Sequence, residues 1–303
     1  NITMKCPRCG RDKPNLAECF KSYGTCYLLK MQEEEIRYLH EGRYKITTLL
    51  RKGGMSAIYL GEDINSPDSV CVVKEMCDYF LSPDEKSEAI YMFEVEAFML
   101  LSLRHPGIPS IRDYFIEEDN CYLVMEYIEG VNLGDLLHEH PEKKLPEKDV
   151  LTWGIQMCDI LEYLHSCVPP IIHRDIKPYN FIKRNSDDKI IIIDFGIASL
   201  FDSGQTNNLV GTPGYVAPEQ FECRIHTRSD IFSLGATLHH LLTGRDPSEG
   251  IPFEFKPVRA IRPDLSEDIE KIIQRALEKD MNKRFNCAKE MKEALRKVVR
   301  RKT

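Results

Sequence analysis

The chain has 303 residues, more than one small core organises, and its 42% hydrophobic and 29% charged residues lie in the range of ordinary globular proteins. A formal net charge of −7 argues against nucleic acid as a partner, because such surfaces are ordinarily basic. No run approaches the roughly 18 consecutive apolar residues of a membrane span, so no membrane is expected within this chain.

Residues 1–30 hold four cysteines with little periodicity. "CPRCG" places Cys6 and Cys9 two residues apart, with Pro and Gly shaping a knuckle-type turn in which two thiolates meet one ion. Cys19 and Cys26 complete a four-thiolate set, which suits tetrahedral Zn²⁺, although their C-x₆-C spacing is wider than the usual C-x₂-C. The expected role is a structural Zn²⁺ holding a zinc-ribbon-like module too small to build a core. Iron suits the same ligands, and free thiols are the plainer reading. The other seven cysteines (71, 77, 121, 158, 167, 223 and 287) sit singly in apolar surroundings and are expected to be small core residues in a reducing, cytoplasmic compartment. A membrane anchor past Thr303 is left open.

Residues 31–42, "MQEEEIRYLHEG", predict a helical linker closed by Gly42. From 43 to 128 the pattern is mostly strand: "YKITTLL", "SAIYLGED", "VCVVKEM" and "CYLVMEYI" are β-branched and alternate or run apolar. One helix interrupts them over 83–103, with Ser82 as its cap and Pro83 at its first position. From 129 to 303 helices dominate, over 147–166, 229–244, 266–280 and 287–302, the second apolar nearly all round and so expected to be buried. The expected architecture is α+β: a Cys₄ module (1–30), a helical linker (31–42), a small β-rich lobe (43–128) and a larger helical lobe (129–303).

The chemistry concentrates in "HRDIKPYN" (173–180) and "IIIIDFG" (190–196). Asp175 and Asp194 lie nineteen residues apart, and Asp194 and Asn180 offer the hard oxygen donors that Mg²⁺ prefers. Upstream, Lys74 ends "VCVVK", and Glu96 lies on the 83–103 helix, nine residues before His105; Glu94, two residues away, falls on nearly the opposite face. Each motif alone is weak; their order is specific.

With a glycine loop, "VVK", "HRDIKPYN", "DFG" and "APE" in sequence, residues 43–300 resemble a bacterial Hanks-type serine/threonine protein kinase. The resemblance implies the two-lobed protein kinase fold, ATP and Mg²⁺ (or Mn²⁺) as cofactors, and protein substrates. It makes Asp175 the catalytic base, Lys177 the cation on the transferred phosphoryl group, Asn180 and Asp194 the metal ligands, and Lys74 with Glu96 the phosphate-anchoring pair. Met125 takes the gatekeeper position, Glu126 and Ile128 offer backbone groups to adenine, and Ile58, Val72 and Phe181 form apolar walls. Asp230 resembles the buried aspartate bracing the catalytic loop, and Glu219 with Arg284 a structural ion pair. In the loop "RKGGMSAI" Gly53 and Gly54 remain, Ser56 replaces the third glycine, and Arg51 replaces the first. Arg51 is the one feature favouring a non-catalytic scaffold that binds nucleotide and recruits partners through the cysteine module.

Lys177, two residues after Asp175, and "GTPGYVAPE" with Thr212 near Asp175 resemble the Ser/Thr pattern. Arg174 is placed to pair with a phosphate on the activation loop, where Thr206, Ser203 and Ser199 are the acceptors expected from autophosphorylation through self-association.

Overall fold

In a computed structural model of the chain, the described residues are 37–52, 56–66, 70–76, 83–118, 120–194, 211–222 and 224–302, together with the backbone of 4–5 and 12–13. The chain divides into two compact units, Asn1–Leu101 with Ile111–Tyr127, and Ser102–Ser110 with Ile128–Thr303.

In the first unit, β1 (Met4–Lys5) and β2 (Asp12–Lys13) pair antiparallel. A six-stranded antiparallel sheet follows, built from β3 (Arg37–Leu39), β4 (Tyr44–Lys52), β5 (Ser56–Asp63), β6 (Val70–Met76), β7 (Ile111–Glu117) and β8 (Asn120–Glu126), in the order β3-β4-β5-β6-β8-β7. Strand alternation sends Cys71, Val73 and Val124 to one face, where they pack with Leu39, Tyr44, Phe115 and Tyr122. The Tyr44 and Phe115 rings stack at 5.8 Å. Arg43 ties Asp63 (3.2 Å) to Asp113 (2.9 Å), and Tyr44 donates to the same Asp113 carboxylate at 2.9 Å. The 83–103 prediction is realised as α1 (Pro83–Ser102).

The helix predicted over 31–42 is not what residues 37–42 form. Residues 37–39 are β3, paired with β4 through Arg37↔Ile46 and Leu39↔Tyr44. Tyr38 is exposed and Leu39 buried, a period of two. His40, Glu41 and Gly42 all have positive φ, so the expected helix cap is the turn between two strands. Residues 31–36 lie outside the described residues. Strand β7 and the strands and short helices named next were not singled out in the sequence.

The second unit opens with a small antiparallel sheet of β9 (Gly130–Asn132), β10 (Phe181–Arg184) and β11 (Ile190–Ile192), in the order β11-β10-β9. Its helices are α2 (Leu133–Glu139), α3 (Glu147–Ser166), α4 (Thr227–Thr243), α5 (Val258–Ile261), α6 (Glu267–Ala276) and α7 (Ala288–Lys302). Helix α4 is the axis: every residue from Ser229 to Thr243 is buried, and α3, α5 and α6 pack around it. An all-round apolar sequence permits this where an amphipathic one would not. Among the described residues no helix is long and apolar enough to cross a membrane.

Of the cysteines expected in the core, Cys71, Cys121 and Cys158 are buried, and burial pushes the Cys71 thiol up to about 11. Cys167 is half-buried and Cys287 exposed, because Cys287 lies just before the first turn of α7 and not on its packed stripe. Residues 77 and 223 are outside the described set.

Helix α4 ends at Gly244, whose φ of 71° returns its N–H to the His240 carbonyl. A Cβ there would also overlap the Lys143 carbonyl. Gly244→Ala is expected to lower the unfolding free energy by about 1–3 kcal/mol, read as a lower denaturation midpoint with an unchanged slope.

Candidate active site

The loop 173–180 hangs from one carboxylate. Asp230, in the first turn of α4 and fully buried, accepts the N–H of His173 at 2.9 Å and of Arg174 at 2.8 Å. The His165 ring, at the end of α3, meets the same carboxylate at 2.8 Å. Burial raises the Asp230 pKa, but hydrogen bonds from His165 and the His173 backbone outweigh it, so the carboxyl is held below its ordinary range. Arg174 is buried and held at a φ of 66°, a conformation costly for a residue with a Cβ.

Asp175 follows. Its carboxylate accepts from Lys177 Nζ at 2.7 Å, Thr212 Oγ1 at 2.6 Å and Asn180 Nδ2 at 3.0 Å, and Lys177 Nζ also reaches Thr212 Oγ1 at 2.6 Å. Burial pushes the Asp175 pKa up, yet the Lys177 and Thr212 hydrogen bonds and the Lys177 charge win, and the group is held below the usual carboxylate range. The structure thus brings Asp175, Lys177, Asn180 and Thr212 together from two segments more than thirty residues apart.

Asn180 ends a single-turn 3-10 helix, Pro178–Asn180. Its Nδ2 is committed to the carbonyl (2.8 Å) and carboxylate of Asp175, and this fixes where Oδ1 points. That Oδ1 is buried and lacks a hydrogen-bond partner in the structure. A buried acceptor is expensive to leave unmet. An oxygen-preferring divalent cation fits it, and Asp194 stands half-buried just past β11, where Ile193 N–H bonds the Asn180 carbonyl at 2.9 Å. Among the described residues no group of three or more His, Cys, Asp or Glu is arranged to hold a metal. Mg²⁺ needs no such cage, since it takes one or two protein ligands and substrate phosphates.

The first unit arranges the nucleotide candidates on one face of its sheet. Ile58 opposes Lys74 across β5 and β6, and Val72 opposes Met125 across β6 and β8. Opposed residues, and residues two apart, share a face, so Ile58, Val72, Lys74 and Met125 do. Lys74 Nζ stands 5.9 Å from the Phe93 ring of α1. Glu96 lies in the same helix; its side chain is outside the described set, as are Gly53 and Gly54. Glu94 is half-buried, and its charge adds to the burial that pushes the Tyr114 hydroxyl up. Ser56 begins β5 and Glu126 ends β8. Arg51 is an exposed β4 residue opposite Ile58, in strand backbone that requires no glycine.

In the second unit Ile128 is buried. Phe181, predicted as an apolar wall, is instead a core residue: it opposes Ile192 and is fully buried, whereas Ile182, on the other face of β10, is half-buried. The register with β11 decides this, and the sequence alone does not carry it. Glu219 and Arg284 form the expected ion pair at 2.6 and 2.8 Å, with Ser229 donating to Glu219 at 2.8 Å. Arg284 also donates to the carbonyls of Glu278, Arg228 and Lys279 and faces the Phe232 ring. Thr206, Ser203, Ser199, Cys6, Cys9, Cys19 and Cys26 lie outside the described residues. His165 was not anticipated; a lone histidine near a helix end carries no signal until the fold sets it beside Asp230.

A protein kinase domain profile matches residues 44–296. The chain is 34% identical over 273 residues to serine/threonine-protein kinase B of Synechocystis, covering 84% of this chain and 46% of that protein. It is also 34% identical over 264 residues to serine/threonine-protein kinase PrkC of Bacillus subtilis, covering 82% and 39%. It therefore spans less than half the length of these relatives. The crystal structure of the Mycobacterium tuberculosis PknI kinase domain matches with a TM-score of 0.69 at 24% identity, over 86% of this chain and 97% of that one, a likeness of fold.

Arg284→Ala would strand Glu219 in the interior, and a loss of about 3–5 kcal/mol is expected in denaturant unfolding. The Glu219 pKa combines burial, which raises it, with Arg284 hydrogen bonds that overcome this and lower it below its ordinary 4.5. A depressed carboxyl stabilises the fold above its unfolded pKa and loses that contribution as pH falls through the folded value. The stability gap between wild type and Glu219→Gln should therefore be constant above pH 4.5 and shrink below it.

Proposed function

Because the chain belongs to the protein kinase family, we propose that it transfers the γ-phosphoryl group of ATP to serine and threonine hydroxyls of protein substrates. The observation that carries this reading is the Asp175 carboxylate, held at once by Lys177, Thr212 and Asn180. The substrate hydroxyl oxygen forms the new bond to Pγ, the bond from Pγ to the ADP oxygen breaks, and the hydroxyl proton passes to Asp175. The depressed pKa makes Asp175 a weak base, so its main contribution is to aim the hydroxyl, as a loose transition state requires. Lys177, 2.7 Å from that carboxylate, is placed to carry positive charge to the phosphoryl group in flight. Asn180 Oδ1 and Asp194 would hold Mg²⁺ or Mn²⁺, which supplies charge neutralisation on the phosphates.

Lys74 and Glu96 are assigned to anchoring the phosphates, Gly53, Gly54 and Ser56 to covering them, and Ile58, Val72 and Met125, with backbone groups of Glu126 and Ile128, to adenine. Ile182 replaces Phe181 as the wall contributed by β10. The Lys177–Thr212 contact supports serine and threonine as acceptors. Arg174 is the proposed partner for a phosphate on Thr206, Ser203 or Ser199, added in trans by a second copy. The compartment proposed is cytoplasmic. Arg51 stands exposed in β4 opposite Ile58 and remains the one sequence feature favouring the scaffold reading.

For the cysteine segment the proposal is a structural Zn²⁺ held by Cys6, Cys9, Cys19 and Cys26. Its support is the two-residue spacing of Cys6 and Cys9 in the sequence, between segments that pair antiparallel through Met4↔Lys13 and Lys5↔Asp12. About one Zn²⁺ per chain is expected by atomic absorption, falling towards zero in a Cys6→Ser/Cys9→Ser variant; equal metal in both would remove the assignment.

Activity is tested with γ-labelled Mg-ATP and a generic protein acceptor, with mass spectrometry locating phosphate. Asp175→Asn is expected to reduce transfer by roughly 10²–10⁴-fold. Absence of transfer by a folded, nucleotide-binding wild type would favour the scaffold.

A further inference from the structure

Seven residues before the kinase-domain match begins, Arg37 reaches onto the sheet. Its guanidinium donates twice to Glu75, Nη1 to Oε1 at 3.2 Å and Nη2 to Oε2 at 3.1 Å. It lies 5.1 Å from the Tyr59 ring centroid and 5.8 Å from that of Tyr122. Tyr122 closes the cluster by donating its hydroxyl to Glu75 Oε1 at 2.8 Å. Glu75 is 8% exposed, so its charge is met by a two-pronged partner from β3 and a hydroxyl from β8. Charge-assisted, planar pairing of this kind is both strong and directional.

Glu75 is the residue after Lys74. In β6 successive side chains leave on opposite faces, so whatever fixes Glu75 on one face sets the rotation of the strand that presents Lys74 on the other. The backbone ladder pairs Lys74 with Ile58 and Leu123, which fixes its position along the strand. To this backbone pairing the Arg37 grip adds a side-chain anchor on the face opposite Lys74. Lys74 lies two residues before Met76, the last described residue of β6.

We propose that Arg37 is a positioning residue for the phosphotransfer reaction: by gripping Glu75 it holds the end of β6 so that Lys74 is presented at a fixed angle to the ATP phosphates. The inference rests on the assignment of Lys74 to those phosphates. It makes β3 a working part of the catalytic unit, although it lies outside the matched kinase domain.

The test uses the full 303-residue chain. Arg37→Ala strands a buried carboxylate, and a loss of stability alone would prove nothing about positioning. Arg37→Ala/Glu75→Gln removes that stranded charge and is expected to melt near the wild type. Both variants are expected to lose between about three- and thirtyfold in kcat/KM for Mg-ATP, with KM for the protein acceptor unchanged, because a small misorientation of one phosphate contact is costly. Arg37→Lys, a point charge without the planar fork, is expected to recover only part of the loss. Wild-type ATP kinetics in the double variant would overturn the proposal, whatever the melting temperatures. Should the wild type itself transfer no phosphate, the kinase reading fails separately. Affinity for a non-hydrolysable ATP analogue then decides: weaker binding by the double variant supports the proposal, and equal binding overturns it.

Discussion

The working part of this molecule depends on burying a charge. Asp230 is fully enclosed, and an enclosed carboxylate must collect donors or protonate. It collects the His165 ring from the end of α3 and two adjacent N–H groups from the loop that follows. Immediately after the second of these amides the backbone turns, with Arg174 at a φ of 66°. Such a conformation costs about 1–3 kcal/mol. Each hydrogen bond to a charged group contributes about 1.5–3 kcal/mol, so the pair of them outweighs the strain. The buried charge thus anchors the strained loop, and Asp175 follows directly on a residue that is held.

The same logic recurs where the fold is joined to itself. Glu219 is enclosed and answered by Arg284, which arrives from a turn 65 residues later and satisfies its remaining donors on three backbone carbonyls. Glu75 is nearly enclosed and answered by Arg37, 38 residues earlier. Buried pairs of this kind add modest net stability against apolar substitutes, but one partner left alone is costly. Their effect is to penalise every arrangement in which the distant segments are not in place. Arginine is suited to this, because its planar fork specifies direction as well as charge.

This explains what was legible in the sequence. Helix α4, with apolar residues on every side, announces its burial within its own seventeen residues. Strands β4, β5, β6 and β8 carry alternation or apolar runs long enough to read, and "HRDIKPYN" holds Asp175, Lys177 and Asn180 within one short loop, so their proximity is local. What failed was set by pairing between distant segments. Three residues, 37–39, are too few for alternation to outvote the glutamates before them and a glycine that reads as a helix cap; β4 makes them a strand. Phe181 and Ile182 differ only in parity, and parity is set by the register with β11. His165 has no local pattern at all.

The electrostatics of Asp175 also bear on the kind of catalysis proposed for this site. A general base for a serine hydroxyl would be strengthened by isolation from cations, since desolvation alone raises a carboxyl pKa towards neutrality. Here burial works in that direction and is overruled by Lys177, Thr212 and Asn180. The arrangement therefore sacrifices proton affinity for geometry. That choice suits phosphoryl transfer, in which little negative charge develops on the incoming hydroxyl before the bond to the leaving group has largely broken. The proton is released late, when even a weak base suffices, while alignment is needed throughout. A site selected for alignment needs its carboxylate tethered at several points, and the three donors around Asp175 are tethers of that kind.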